Sequence, residues 1–244
     1  MPSEIAPGIH RLGNEVVNFF LVEGDGGLTL VDAGLSGFRG QLEAFMRGRG
    51  QTLAHIDAVV LTHAHPDHVG VAEIVRAAGA TVHVHEADAE MARTAKGPKR
   101  ERGMRPYLRH GSAWKTLAVM AWAGGIKPVK IAEVTSFAGD EALDVPGRPR
   151  PIHMPGHSNG HVAVHFADRG VLVTGDALCT WNPLTGRVGP QIMPAGLAIS
   201  SAAEMDSLGR LDGVEAGMLL PGHGEPWTEG VAAAVARARE AGPS

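Results

Sequence analysis

Cysteine and long apolar runs are scarce in this 244-residue chain. Its one cysteine, Cys179, cannot form an internal disulfide, so nothing in the composition calls for an oxidising compartment. No apolar run is long enough to span a membrane, and the first residues lack the basic and apolar regions of a secretory signal. These absences predict a cytoplasmic protein that does not contact membranes.

Other features are missing as well. The chain has no glycine-rich phosphate loop ending in lysine, and its formal net charge of −4 at pH 7 argues against a general nucleic-acid binder. No linker rich in Ser, Gly or Pro divides it. Its hydrophobic content of 44% can fill a core, so we expect one domain over residues 1–244.

Histidine, in contrast, is abundant, and the sequence over positions 63–68 reads His-Ala-His-Pro-Asp-His. Imidazole nitrogens and carboxylates are ligands of zinc and iron. An apolar strand pattern over 56–61 precedes this segment and a helix pattern over 69–78 follows it, a common place for a site in an open α/β protein. In an extended segment His63 and His65 share a face and can bind one ion, while Asp67 and His68, beyond the bend, could bind a second.

Three later segments repeat the same design, in which a polar side chain follows an apolar strand beside glycine. His157 lies in the turn 155–161, Asp176 ends the strand 171–175, and His223 lies in the turn that follows 219–220. Glycine lets the backbone bend and bring such a side chain inward. These positions are therefore candidate ligands too.

In this order the four elements resemble the metallo-β-lactamase superfamily, over about positions 15–225. The resemblance implies an α/β fold, the four-layer αββα sandwich of the metallo-β-lactamase type, with the site where its two sheets meet. It also implies two divalent ions, most simply zinc, with iron or manganese as alternatives. The implied ligands are His63, His65 and His157 for the first ion and Asp67, His68 and His223 for the second, with Asp176 bridging both.

The resemblance extends to residues beside the ligands. Asp32 matches a family Asp-x-Gly position that supports the metal loops, and metal ligands normally need such partners; an aspartate that only caps a turn is the alternative. His161 would contact either the ligands or the substrate. An aspartate at 176, where common zinc β-lactamases have cysteine, is similar to the glyoxalase II, lactonase and phosphodiesterase branches. Cys179 is interpreted as a small buried apolar residue.

The expected chemistry follows from two adjacent cations. They would share a bridging water and lower its pKa, which gives hydroxide near neutral pH. Asp67 would orient this nucleophile and carry its proton. We therefore predict a binuclear hydrolase that cleaves an ester, lactone or thioester of a small molecule. A persulfide dioxygenase of the same fold, with one iron on His63, His157 and Asp176, remains open; a phosphodiesterase or nuclease is less favoured.

The segment at about 88–130 is predicted to be a helical insertion. Residues 93–109 carry seven basic side chains and one acid, and an apolar stretch follows over 114–122. As a lid, the insertion would favour anionic substrates, Tyr107 could donate to a developing oxyanion, and Trp114 could line an acyl pocket. As a solvated helix pair, it could instead form a homodimer interface.

Hydrophobic periodicity completes the coarse description of the chain. It predicts strands near 16–22, 27–31, 56–61, 81–85, 150–153, 161–166, 171–175 and 216–220. It predicts helices near 38–49, 69–78, 201–211 and 228–240.

Overall fold

The computed structural model describes residues 2–244, in which strands and helices alternate along both halves of the chain. The strands are β1 (Ser3–Ala6), β2 (Ile9–Gly13), β3 (Asn18–Gly24), β4 (Gly27–Val31), β5 (Ala58–Val60), β6 (Thr81–His85), β7 (Thr135–Phe137), β8 (Arg150–His153), β9 (Val162–Phe166), β10 (Val171–Gly175), β11 (Cys179–Trp181), β12 (Val188–Gln191) and β13 (Met218–Pro221). The helices are α1 (Arg39–Gly48), α2 (Ala72–Ala77), α3 (Glu86–Thr94), α4 (Gly111–Trp122), α5 (Ser201–Ser207) and α6 (Val231–Ala241).

Two sheets organise these elements. The first has seven strands in the order β1-β2-β3-β4-β5-β6-β7; its pairs are antiparallel up to β4 and parallel from β4 onward. The second has four strands in the order β13-β10-β9-β8, with β13 parallel to β10 and the other pairs antiparallel. Strands β11 and β12 form a separate antiparallel pair.

The buried side chains show how the layers stack. One apolar cluster contains Phe20 and Val60 of the first sheet together with Val164 and Val173 of the second, so the sheets pack face to face. The outer face of the first sheet packs on α1, α2 and α3, and that of the second packs on α6 and on the segment after α5. This helix–sheet–sheet–helix order confirms the predicted four-layer αββα sandwich.

Strand β3 shows why the sequence folds in this way. Phe19 and Leu21 pack on the helical side of the first sheet, while Phe20 and Val22 pack against the second sheet. A strand that is covered on both faces reads as a continuous apolar run rather than an alternation. Among residues 2–244, no helix is long and apolar enough to cross a membrane.

The predicted elements have counterparts in the structure, with a few additions. Each of the eight predicted strands and four predicted helices overlaps an observed element. The structure adds β1, β2, β7 and the β11–β12 pair. The predicted insertion contains most of α3 and all of α4, with irregular chain and one short 3₁₀ turn, Arg105–Arg109, between them.

Candidate metal centre

The strand directions bring the predicted ligands to one edge of the sandwich. In the first sheet, Asp32 follows β4 and the segment 63–68 follows β5, its parallel neighbour. In the second sheet, β8, β10 and β13 all run in one direction, and His157, Asp176 and His223 follow them in turn. Carboxyl ends of strands that share a direction lie at one edge, which is where α/β proteins place their sites.

Backbone hydrogen bonds join the two sheets at this edge. The N–H of Val162 donates to the carbonyl of Thr62 at 2.8 Å, and the N–H of Asn18 donates to the carbonyl of Gly222 at 2.8 Å. The Asn18 side-chain amide donates further to the carbonyls of Pro221 and Gly224. The loops that carry the candidate ligands are therefore held at fixed positions relative to one another.

The first cluster consists of His63, His65 and His157. His65 Nδ1 lies 3.0 Å from His63 Nε2 and 2.8 Å from His157 Nε2, and the two Nε2 atoms are 3.1 Å apart. Three nitrogens bound to one tetrahedral zinc would lie about 3.3 Å apart. Burial first, and then the charges of neighbouring histidines, lowers the pKa of His63 and of His157 well below the ordinary value. Neutral imidazoles at these distances fit a cation between them.

The second cluster consists of Asp67, His68 and His223. Asp67 Oδ2 lies 3.4 Å from His223 Nε2 and 3.9 Å from His68 Nε2, and these side chains can approach a single ion. His68 Nε2 is buried and has no hydrogen-bond partner. A buried polar atom without a partner costs free energy, and a metal ion at this position would satisfy it.

Asp176 lies between the two clusters and is 2% exposed. Its Oδ2 is 3.3 Å from both His157 Nε2 and His223 Nε2, and its Oδ1 is 3.4 Å from His68 Nε2. Burial alone would raise the pKa of Asp176, but the charges of His223 and His68 lower it well below the ordinary value. An ionised carboxylate in this position can contact ions in both clusters.

Hydrogen bonds fix the ring orientation of three ligand histidines. Asp32, with a left-handed φ of 58°, accepts from His68 Nδ1 at 2.8 Å and from the backbone and hydroxyl of Thr62. The same hydroxyl lies 3.1 Å from His63 Nδ1. His223 Nδ1 donates to the Val16 carbonyl. Each contact occupies Nδ1 and turns Nε2 toward the cluster, and Asp32 lies directly against a candidate ligand.

Asp176 is positioned through its backbone. Its N–H donates to His161 Nε2 at 3.0 Å, and burial lowers the pKa of His161 to about 3, so this ring is a neutral acceptor. Gly222 leaves the room that the carboxylate needs, since a Cβ there would lie 2.3 Å from Asp176 Oδ1. His161 thus contacts a candidate ligand, as one of its two predicted roles required.

Two buried acids near the ligands carried no prediction. Asp88 accepts hydrogen bonds from Ser158 Oγ, from the Gly160 N–H and from the Ala64 N–H, and so ties the turn of His157 to the 63–68 segment. Its place just after β6 is a signal that could have found it. Glu204, on α5, is 2% exposed and lies behind His157. Its sequence context gives no such signal.

Ser158 lies in a second pattern that can carry chemistry. Residues 156–160 match the Gly-x-Ser-x-Gly sequence that exposes a nucleophilic serine in other hydrolases. Here Ser158 is fully buried, and its hydroxyl donates to Asp88 at 2.6 Å. A buried hydroxyl that donates to a carboxylate holds the turn together and is not placed to attack a substrate.

The two predicted substrate-binding residues have structural partners instead. The hydroxyl of Tyr107 donates to the Ser244 carbonyl at 2.9 Å, and the ring is 4% exposed. The expectation of a hydroxyl free for an oxyanion is therefore corrected. Trp114 is 58% exposed, and its indole N–H donates to the Leu108 carbonyl. Neither side chain lines the cavity beside His65.

That cavity has a volume of about 270 Å³ and adjoins the first cluster through His65. Apolar side chains form much of its wall, and two cationic residues, Arg100 and Lys127, stand among them. The charge of Arg100 contributes to the lowered pKa of His65, after the larger effect of burial. A small ligand with an apolar part and a negative charge would match this lining.

Comparison with known proteins agrees with the fold and the site. The sequence matches the Metallo-beta-lactamase superfamily over residues 12–223. The probable metallo-hydrolase YflN of Bacillus subtilis (strain 168) is 26% identical over 241 residues, which cover 92% of this chain and 87% of the relative.

Solved structures give the same result. A metallo-beta-lactamase family protein from Thermus thermophilus superposes with a TM-score of 0.69 and 26% identity, covering 98% of this chain and 80% of that one. A metallo-beta-lactamase of Cronobacter sakazakii superposes with a TM-score of 0.67 and 23% identity, covering 98% and 92%. With four strand-end segments bringing histidines and aspartates to one edge of an αββα sandwich, the chain belongs to the metallo-β-lactamase superfamily.

Proposed function

We propose that this chain is a binuclear metal-dependent hydrolase that cleaves an ester, lactone or thioester of a small molecule. A metal-dependent hydrolase in the broad sense is supported by the superfamily and by the similarity to a probable metallo-hydrolase. The observation that carries the binuclear proposal is the place of Asp176. One of its carboxylate oxygens is 3.3 Å from a histidine nitrogen of each cluster.

The ligand set fits divalent ions, with zinc as the first choice and iron or manganese as alternatives. Bound there, they would activate a water and polarise the substrate carbonyl. His63, His65 and His157 would hold one ion, and Asp67, His68 and His223 the other. Burial alone would raise the pKa of Asp67, but the charges of His68 and His223 lower it below the ordinary value. An ionised Asp67 can therefore accept a hydrogen bond from the attacking water and orient it.

The lining of the cavity beside His65 supports a substrate with two parts. Met91, Val69 and Ile126 would contact a short apolar acyl group, and Arg100 with Lys127 would attract an anionic group. The volume of about 270 Å³ suits a small molecule rather than a polymer. We therefore propose a small anionic ester, lactone or thioester.

Penicillins and carbapenems are proposed to be poor substrates. The β-lactamases among the solved structures that we compare are less than 25% identical and share the fold with this chain. Position 176 is an aspartate, and the chain's one cysteine, Cys179, is fully buried with its Sγ 3.5 Å from the Gly175 carbonyl. We expect model esters, lactones and thioesters to be cleaved faster than either antibiotic class.

The test is metal analysis of protein purified without added metal, together with oxygen uptake and hydrolysis assays. Two divalent ions per chain and hydrolysis of an anionic ester, lactone or thioester without oxygen uptake are expected. One iron per chain with oxygen uptake on a persulfide would overturn the proposal in favour of the dioxygenase. Cleavage of a nucleic acid in preference to small esters would favour a nuclease.

A further inference from the structure

Four histidines direct Nε2 toward the two clusters, and they differ at Nδ1. His63 has Thr62 as its Nδ1 partner, His68 has Asp32, and His223 has the Val16 carbonyl. His157 Nδ1 is buried and has no hydrogen-bond partner among residues 2–244. Histidines that bind metals almost always donate their second ring N–H, so His157 is the exception that needs an explanation.

A buried carboxyl group that faces His157 Nδ1 also lacks a hydrogen-bond partner. Glu204 is 2% exposed, and within the described part of the chain neither of its carboxyl oxygens has a hydrogen-bond partner. Its Oε1 lies 3.8 Å from His157 Nδ1, so the two buried groups without partners face each other. A buried polar atom without a partner destabilises the fold, and one hydrogen bond would give both His157 Nδ1 and Glu204 Oε1 a partner.

The backbone around this pair is built for close contact. Gly156 has a φ of 138°, and a Cβ there would lie 2.3 Å from the Glu204 nitrogen, so α5 packs directly on the turn of His157. The N–H groups of Ile199 and Ser200 both donate to the Gly156 carbonyl at 2.9 Å. The start of α5 is therefore held against the turn, with the acid opposite the ring.

We propose that Glu204 is a positioning residue that accepts the Nδ1–H of His157 and thereby directs Nε2 to the first metal. The inference rests on the proposed metal centre. A rotation of the Glu204 side chain that shortens the gap by about 1 Å gives a hydrogen bond of ordinary length. A carboxyl oxygen offers a lone pair whether the group is ionised or protonated, so the contact does not depend on its charge.

The consequence is a carboxyl–imidazole–metal arrangement at the first cluster, like the one that Asp32 and His68 would form at the second. A hydrogen bond at Nδ1 fixes the tautomer and makes Nε2 a stronger ligand. Glu204 would act through His157 and not on the substrate. Removal of the Glu204 carboxyl group should therefore weaken metal binding more than it changes substrate affinity.

The experiment compares two variants of Glu204 with a control. Glu204→Met keeps the volume of the side chain but removes the acceptor, and Glu204→Gln keeps an acceptor oxygen. The control, Glu101→Gln, alters a carboxylate that accepts from the Ser201 N–H at the start of the same helix. Zinc affinity is measured by competition with a chromophoric chelator. The Nδ1–H of His157 is observed by ¹⁵N-resolved NMR of the zinc-loaded protein.

Glu204→Met should bind the tighter zinc about 10- to 100-fold more weakly, while Glu204→Gln and Glu101→Gln should stay near the parent affinity. The parent should show an exchange-protected Nδ1–H on His157. A parent affinity in Glu204→Met, an equal loss in the Gln variant, or a rapidly exchanging proton in the parent would overturn the inference. Because the parent spectrum decides on its own, poor folding of a variant leaves the test intact. Zinc binding without hydrolysis would count against the proposed function only.

Discussion

The two clusters of candidate ligands lie on either side of Asp176 but differ in charge. In the first, burial and neighbouring histidines lower the pKa of His63 and His157. In the second, burial also lowers the histidine pKa values, but Asp176 and the other nearby aspartates outweigh it. They raise the pKa of His68 well above normal and that of His223 to about 10. Without metal, the histidines of the first cluster are therefore neutral. Those of the second are protonated, and a cation would have to displace their protons.

The difference has a structural origin. Asp32, Asp67 and Asp176 all contribute to the raised pKa of His68. In the first cluster, burial and the positive charge of Arg100 lower the pKa of His65 while Asp67 and Asp176 raise it, and the net pKa is below normal. We therefore expect the two clusters, although similarly buried, to bind ions in a fixed order. The first ion should enter without proton release, and the second should depend on pH.

The largest test removes the group that the clusters share. Asp176→Ala deprives both ions of a ligand and leaves the His68 and His223 rings without their closest counter-charge. We expect hydrolysis to fall by about 10³-fold or more, in the upper range for loss of one electrostatic group at a reacting centre. Bound metal, measured by elemental analysis, should fall as well.

The matched control is Asp206→Ala, an exposed aspartate on α5. It should change the free energy of unfolding by no more than about 0.5 kcal/mol and leave metal content at the parent level. An Asp176→Ala protein that keeps two ions and parent activity would show that the clusters are not coupled through this residue.

The next test uses pH to separate the clusters. His68 and His223 must lose protons to bind an ion, because their raised pKa values keep them protonated in the metal-free protein near neutral pH. Affinity for the second ion should therefore rise about tenfold per pH unit for each proton released, up to about pH 10 for His223. Affinity for the first ion should be nearly constant near neutral pH, since its histidines are already neutral.

Calorimetry of zinc binding in buffers of different ionisation enthalpy measures this proton release directly. It should detect protons with the second ion and few with the first. Equal proton release at both steps would mean that the charge asymmetry between the clusters does not govern metal uptake.

Much of this centre was predictable because the ligands follow a local rule. Each candidate ligand lies in the segment that follows an apolar strand, and His157, Asp176 and His223 also lie beside or close to glycine, a pattern that one sequence displays. Strands β5 and β10 are buried on both faces and gave apolar signals with little interruption. In contrast, β1 is half-exposed and β11 has three residues, too few for a period of two to show.

The unpredicted features depend on contacts between distant segments. Glu204 faces His157 because α5 packs on the turn of His157. The sequence around an acid in a helix does not indicate such a contact. Tyr107 attracted a substrate role as the chain's one tyrosine, but the fold supplies a backbone carbonyl for its hydroxyl. Sequence patterns identified the candidate ligands and two of their partners, Asp32 and His161, whereas the position of Glu204 required the tertiary structure.

A smaller loss of metal binding is expected from a methyl group placed beside the Asp176 carboxylate. Gly222→Ala would bring a Cβ to 2.3 Å from Asp176 Oδ1 and 2.8 Å from His68 Cε1. Because the backbone at this glycine is not left-handed, the expected cost comes from crowding and not from φ. Zinc affinity should fall about tenfold, within the range for disturbed ligand support.

Gly217→Ala is the matched control, since a Cβ there meets no atom within 4 Å. Its zinc affinity, measured by the same chelator competition, should equal that of the parent. If both variants bound zinc like the parent, the carboxylate could shift without loss, and its place between the clusters would matter less than we infer.

The smallest effect tests the positive charge beside the first cluster. Arg100 lines the cavity with His65, and after burial its charge helps to lower the pKa of that ring. Arg100→Gln should raise zinc affinity at the first cluster and should also raise KM for anionic substrates. Each change should be up to about fivefold, which corresponds to about 0.2–1 kcal/mol of binding free energy. KM for neutral substrates should not change, and both effects should shrink as salt increases.

The control is Arg109→Gln, since Arg109 lies outside the cavity and donates a hydrogen bond to His110. It should change neither zinc affinity nor KM. Equal changes in KM for neutral and anionic substrates would remove Arg100 from substrate recognition, while an unchanged zinc affinity would mean that the first cluster owes its neutrality to burial alone.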